Sequence, residues 1–358
     1  MKTDEQCPMV DTIKIKNFRC FKNLSIGGLK RFNVVVGHSG SGKTALLESL
    51  FIAAAGSAQV YFKLRTWRGL GEIIRLTGSR VSFESLFREV FFAFDQNAAA
   101  SIEFLDSRLG RRALTIQYRT HTDYSVSAKG GRIDTAFVIN PIVFRWTTGT
   151  KQRATESVVQ INEGALQFSG QADVYPVWLV SPYAPDDSVQ NFSDLSKNGA
   201  AQPIIDAFKV LFPLAHDLTV EISNGQANVY CSIEPFKEKL PIGMLSSGMN
   251  KYLSMIVTIA SNPGGVVLID EIENGFYYGH MVSMLHSILE FAEKQNVQII
   301  ATTHSYEMLK AIAQVTEGDR EEHFSLLRTE RKETGEATVS ITRGHGARSL
   351  IEQGFEIR

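Results

Sequence analysis

Asn33-Val-Val-Val36, Gly37-His-Ser-Gly-Ser-Gly-Lys-Thr44 and Ala45-Leu-Leu-Glu-Ser-Leu-Phe-Ile-Ala-Ala-Ala55 follow one another without a break. The first is a short continuous apolar run, the pattern of a buried strand. The last is helical by propensity, and Gly56 supplies a stop. Between them, Gly37-x-x-x-x-Gly42-Lys43-Thr44 fills every fixed position of a phosphate-binding loop. Residues Gly37, His38, Ser39, Gly40, Ser41 and Gly42 would curl their backbone N–H groups around a β-phosphate. The helix that opens at Thr44 would point its positive end at the same anion. Lys43 would reach the β- and γ-phosphates, and the Thr44 hydroxyl would bind Mg²⁺. Strand, loop and helix in this order predict an α/β protein that holds a nucleoside triphosphate.

Working outward, three later stretches complete that expectation. Val266-Val-Leu-Ile-Asp270-Glu271 is a buried strand that ends in two acids. Its end falls at the carboxyl edge of a sheet, where such ligands sit. Asp270 would hold Mg²⁺ through water, and Glu271 would act as the general base on the attacking water. Ile299-Ile-Ala-Thr-Thr-His304-Ser305 is another strand with a polar end, and His304 would contact the γ-phosphate or the attacking water. Leu245-Ser246-Ser247-Gly248-Met249-Asn250 precedes a helix and offers N–H groups and hydroxyls to an anion, though an ordinary N-cap has the same composition.

The rest of the chain supplies the organisation. Thr12–Arg19 alternates like a half-buried strand. Residues 57–95 read as mainly helical, and residues 100–183 as an antiparallel β region that includes Val177–Ser181. Residues 185–213 hold turn residues and then a helix from Pro203. A hairpin is predicted across Asn224-Gly225, an amphipathic helix over Phe276–Gln295, and a closing hairpin from Phe324–Arg328 and Ala337–Thr342. An α/β core built from both ends, 1–56 and 217–358, is therefore expected to carry an insertion over 57–216, β-rich at about 100–183 and helical at about 185–213.

Composition bounds the remaining choices. The 358 residues carry 37 Lys/Arg and 38 Asp/Glu, a net charge of −1, so no global field draws in nucleic acid or a membrane. Cys7, Cys20 and Cys231 offer no disulfide framework and no metal-ligand spacing. His280 and His286 are six apart, a spacing that does not place two ligands on one helix face. No run reaches the length of a membrane span, and the first residues lack a signal-peptide pattern. A cytoplasmic protein is expected.

In this order, the phosphate loop, the long insertion, Leu-Ser-Ser-Gly, Asp-Glu and Thr-His-Ser resemble the ABC-type ATPases. More narrowly they resemble the OLD-like AAA15/AAA21 branch, related to the SMC ATPases and found in bacterial anti-phage defence. Ile15-Lys-Asn-Phe-Arg-Cys-Phe-Lys-Asn-Leu24, Leu46-Leu-Glu48, Asp270-Glu-Ile-Glu-Asn-Gly275 and Gln298–Ser305 carry the resemblance. It implies an ABC-type P-loop ATPase head, a mixed sheet core with flanking helices, bearing the β-rich and helical insertion. It also implies ATP and Mg²⁺ as cofactors, and a homodimer or higher homo-oligomer joined through its ATP sites. In such a dimer Ser246, Ser247 and Gly248 of one subunit touch the γ-phosphate bound by the other, and Asn274-Gly275 crosses the interface. Gln117 and Gln190 are the candidates for the glutamine that senses Mg²⁺ in the family. Met249 stands where transporters carry glutamine, which counts against a transporter. The tail after Ser305 is shorter than the Toprim nuclease of many relatives, so a nuclease or toxin effector is expected on a separate polypeptide.

Two alternatives stay open. Residues 108–153 hold Arg108, Arg111, Arg112, Arg119, Lys129, Arg132, Arg145, Lys151 and Arg153 against Asp123 and Asp134, with Tyr118, Tyr124, Phe144 and Trp146 among them. That stripe suits direct action on DNA by a repair or recombination ATPase, although a solvated strand face has the same pattern. The other alternative is an ATP-binding scaffold with negligible turnover. Arg65-Thr-Trp-Arg68-Gly69 could reach a phosphate or form a surface helix end.

Overall fold

A computed structural model describes residues 10–70, 80–119, 140–149, 153–162, 165–184 and 187–354. The chain opens with strands β1 (Val10–Phe18), β2 (Phe21–Gly27) and β3 (Phe32–Val36), then helices α1 (Lys43–Ala54), α2 (Gln59–Arg65) and α3 (Arg80–Ser85). Strands β4 (Ala100–Asp106), β5 (Gly110–Tyr118), β6 (Ile142–Thr148), β7 (Arg153–Asn162), β8 (Ala165–Ser169) and β9 (Val177–Val180) follow. Next come α4 (Ser188–Lys197), α5 (Gln202–Leu211), β10 (Ala215–Ser223), β11 (Gln226–Ile233), β12 (Leu240–Pro241), α6 (Ile242–Leu245) and α7 (Ser247–Ser261). The C-terminal part alternates β13 (Val266–Ile269), α8 (Met281–Lys294), β14 (Gln298–Thr302), α9 (Tyr306–Val315), β15 (Phe324–Arg331), β16 (Ala337–Arg343) and α10 (Gly344–Glu352).

Two sheets matter for the site. The core sheet runs β16-β15-β3-β14-β13-β9, with β16 antiparallel and the other neighbours parallel. Its central strands β3, β13 and β14 are buried on both faces, as parallel strands covered on both sides must be. Val34, Val36, Val267, Ile269, Ile299 and Ala301 face α7, α8 and α9. Val35, Leu268, Ile300 and Leu327 face the other way, onto α1. Behind α1 lies the second sheet, antiparallel and ordered β2-β1-β4-β5-β6-β7-β8. Helix α1 is thus wedged between two sheets, with nine of its twelve residues buried, which explains an apolar sequence with no polar stripe.

The segment 57–216 does not stand apart as the expected insertion. Strands β4 to β8 extend the β1–β2 hairpin through the β1–β4 pairing, and β9 completes the core sheet by pairing in parallel with β13. Val177–Ser181 was expected in the antiparallel region. A run of so few apolar residues carries no information about its partner, and β13 lies far off in sequence. Helices α4, α9 and α10 also exceed the sequence expectation, and the helix expected from Phe276 begins at Met281 after a short 3₁₀ turn. The hairpin across Asn224-Gly225 is present, with both residues at positive φ as a two-residue turn requires. Among the described residues no helix is long and apolar enough to cross a membrane.

Candidate nucleoside-triphosphate site

The buried strand β3 delivers the chain at the carboxyl edge of the core sheet, and the phosphate loop turns it into α1. Gly37 and Gly42 stand at φ 141° and 110°, a region that side chains avoid. Space forbids a side chain as well: a Cβ on Gly42 would come 2.8 Å from Cys20 Sγ, and one on Gly37 would run into Thr329. The loop is braced from β15, where Thr329 Oγ1 lies 2.5 Å from Ser41 Oγ and donates to the Val36 carbonyl at 2.9 Å. No side chain caps the start of α1, and its first turn holds no acid. Its leading N–H groups therefore suit an anion. Lys43 Nζ donates to the Gly37 and His38 carbonyls at 2.7 and 3.0 Å. Burial lowers the pKa of Lys43, and the fields of Asp270, Glu273 and Glu271 oppose that shift.

The two acids at the end of β13 are placed by the neighbouring strand. One hydroxyl, Thr302 Oγ1 of β14, donates to Asp270 Oδ1 at 2.6 Å and accepts from the Glu271 N–H at 2.8 Å. Asp270 is 2% exposed, and Thr44 Oγ1 lies 3.3 and 3.2 Å from its two oxygens. Glu271 stands at φ 52°, a strained conformation for a residue with a side chain. Asn274 Nδ2 donates to its Oε2 at 3.4 Å. One hydroxyl and one carboxylate meeting beside a phosphate cradle fit Mg²⁺, which takes few protein ligands and completes its shell with water and phosphate oxygens. Among the described residues no cluster of three or more His, Cys, Asp or Glu is arranged for a metal of another kind.

His304 follows β14, and its ring is oriented by a residue that the sequence reading did not single out. Glu273 Oε1 accepts from the His304 backbone N–H and lies against its Nδ1, both at 2.9 Å. With Nδ1 donating, Nε2 is the ring atom left for a second partner, and the side chain is 61% exposed. Glu273 itself is buried, and its Oε2 has no partner among the described residues.

Ser246, Ser247 and Gly248 open α7. Ser246 is the N-cap and accepts from the Gly248 and Met249 N–H groups at 3.2 and 3.5 Å. Ser247 is exposed and Gly248 buried. Gly248 packs against Gly275, whose carbonyl a Cβ would strike. The turn therefore rests on the loop after Glu271. It lines a groove of about 650 Å³ together with Asn250, Lys251, Asn274 and Gly275. Exposed apolar side chains flank both segments: Met244 in α6, just before the turn, and Tyr277 and Tyr278 just after Gly275.

Several expected residues lie elsewhere. Gln117 sits on β5 opposite Val143, in the second sheet, and Gln190 donates to Asp194 on α4. Ser181 and Tyr183, just past β9, line a small cavity with Thr44, Glu48, Trp67 and Arg68 among its other lining residues. Arg65 pairs with Glu89, whereas Arg68 and Arg19 both pair with the buried Glu48 of α1. These three arginines and Arg331, whose Nη1 lies 3.5 Å from the Gly40 carbonyl, surround a cavity of about 550 Å³ beside the phosphate loop. No run of sequence spans that cavity, so only the fold reveals it.

The described arginines of the basic stripe have partners within the chain, and among them Arg112 is buried while Arg108, Arg119 and Arg145 stay exposed. Arg112 is 2% exposed and donates to the Ala53, Ala55 and Asp173 carbonyls. Arg111 pairs with Glu103, Arg119 and Arg145 with Glu156, and Arg108 donates to the Gly264 carbonyl. Lys129, Arg132 and Lys151, with Asp123, Tyr124 and Asp134, lie outside the described residues.

Comparison with known proteins agrees with this geometry. Residues 32–310 match the family described as "AAA domain, putative AbiEii toxin, Type IV TA system". A Helicobacter pylori protein named "ATP/GTP phosphatase" is 23% identical over 346 residues, 88% of this chain and 90% of that protein. The chromosome partition protein Smc of Methanocaldococcus jannaschii is 36% identical over 90 residues, only 7% of its length. An SMC head solved with the C-terminal winged-helix domain of ScpA is similar in fold, with a TM-score of 0.50 at 14% identity, covering 96% of this chain and 100% of that one. The Pyrococcus furiosus Smc head gives 0.50 at 12%, covering 97% and 99%. With its phosphate loop, its acid pair and an α/β fold like that of an SMC head, the chain belongs to this AAA family and is an ATPase of the AAA type.

Proposed function

We propose that the chain is an ATP-binding and hydrolysing dimerisation switch that controls a separate effector protein, in bacterial anti-phage defence. The observation that carries it is the division of the site. Lys43, Thr44, Asp270 and Glu271 converge at one sheet edge, whereas the Ser246–Gly248 turn rests on Gly275 with Ser247 exposed. Such a turn suits a γ-phosphate held by a second copy. The match to a phosphatase of ATP and GTP supports hydrolysis, and the family's description, which names a putative toxin of a type IV toxin–antitoxin system, supports a role in a defence-type system.

In this reading Lys43 and the loop N–H groups hold the triphosphate, and the nucleoside extends into the arginine-lined cavity. Thr44 and Asp270 would hold Mg²⁺, which would neutralise charge on the phosphates when bound. Glu271 accepts a proton from the attacking water. His304, its ring fixed by Glu273, turns Nε2 toward the γ-phosphate or the attacking water. Because Ser246, Ser247 and Gly248 come from the other copy, hydrolysis is conditional on assembly.

Glu271→Gln tests the assignment. It should keep ATP binding, lower turnover by roughly 100-fold or more, the usual scale for a general base, and accumulate an ATP-dependent dimer in sedimentation. Wild-type turnover in that variant removes Glu271 from the chemistry. Arg112 alone of the described arginines in the stripe is buried, against the end of α1, and so is withdrawn from any contact with DNA.

A further inference from the structure

Lys251 lies on α7, three residues after Gly248. Its ammonium donates to the main-chain carbonyls of Asp270, at 3.0 Å, and Glu271. A part-buried ammonium costs free energy unless acceptors replace its water, and these two carbonyls do so. Its use here is geometric. Glu271 holds a φ of 52°, which persists only where the surroundings over-determine it. Three hydrogen bonds do so. The Glu271 N–H donates to Thr302 Oγ1 at 2.8 Å, the Asn274 N–H donates to the Glu271 carbonyl at 2.9 Å, and Lys251 donates to that same carbonyl. The first comes from the adjacent strand and the second from the loop itself. Only the third comes from the helix that opens with Ser246-Ser247-Gly248. The close packing of Gly248 on Gly275 is a second tie between the same two elements.

We propose that Lys251 is a positioning residue for hydrolysis, tying the Asp270–Glu271 backbone to α7 so that what the Ser246–Gly248 turn grips sets where Glu271 stands. This rests on the reading of Glu271 as base and of the turn as a γ-phosphate contact. It gives a role to a part-buried cation beside the groove: the residue couples assembly to chemistry rather than adding stability. Lys251 also lines the open groove with Ser247, Asn250, Ser254 and Asn274, so a small amine can reach its place.

The test uses the full chain as wild type, Lys251→Met and Lys251→Ala. Amide exchange over 270–275 should quicken by roughly tenfold in Lys251→Met, with α1 and β3 unchanged, because local opening of that loop becomes easier. Turnover should fall by roughly 30-fold with the nucleotide KM within about twofold, the mark of a group acting in the transition state. Propylammonium should restore part of kcat to Lys251→Ala and none to Lys43→Ala. Unchanged exchange at 270–275, a kcat within about threefold of wild type, or a loss that the amine leaves untouched would each overturn the proposal. A wild-type protein without turnover would overturn the reading of Glu271 instead, and the exchange measurement would still decide Lys251.

Discussion

Lys251 shows how one residue carries opposing demands. Burial lowers its pKa to about 8, against the pull of Glu273, Glu271 and Asp270. The unfolded chain, with a lysine near 10.5, therefore binds more protons than the folded one between pH 8 and 10.5. Stability then rises with pH across that window, and the penalty is present in full below about 8. Lys251→Met should lose that slope, a difference on the order of 3 kcal/mol between the ends of the window, read by urea unfolding of both proteins at each pH. Parallel slopes would mean that the ammonium is solvated. The residues legible from sequence were those whose roles lie in consecutive positions, Gly37 to Thr44 and Asp270-Glu271. Glu273, Lys251 and Arg19 act across gaps of sequence, and nothing local to them signals the partner.

At the scale of elements, α1 ends where the basic stripe was expected to meet solvent. Arg112 of β5 reaches the carbonyls of Ala53 and Ala55, and Trp146 of β6 donates to Ala53 as well, at 3.1 Å. The last turn of α1 has no basic residue of its own, so the second sheet supplies the cation that a helix C-terminus favours. Burial lowers the pKa of this guanidinium, and its three carbonyl acceptors hold it in place. Arg112→Met should destabilise the fold by about 2 to 4 kcal/mol, since buried carbonyls lose their donor, as seen in denaturant unfolding. Reversing Arg112 would for the same reason report on folding rather than on DNA. An alternating strand shows which residues share a face, and Arg112 shares that of Leu114 and Ile116. The sequence does not show that this face lies under α1.

For the whole molecule, the composite site makes a prediction that no single chain can satisfy. Lys43→Ala removes the phosphate grip, and Gly248→Asp drives a side chain into Gly275 and a negative charge toward the γ-phosphate. Each homodimer should be inactive. Mixing them should restore turnover to about a quarter of wild type, because half the dimers are mixed and each has one intact site of two. No recovery on mixing, with both proteins folded, would confine each site to one chain.

The sequence alone determined the α/β core, the phosphate loop with its helix, the acid pair at a strand end and the polar end of β14. These depend on periodicity and on residues within one turn or one strand, which local physics dictates. Tertiary structure alone decided that β9 joins the core sheet, that β4 to β8 continue the first hairpin, that Glu273 orients His304 and that Lys251 holds the acid backbone. Those contacts join residues far apart in the chain, and a pairing across such a gap is selected by the packing of both faces at once rather than by the residues of either partner.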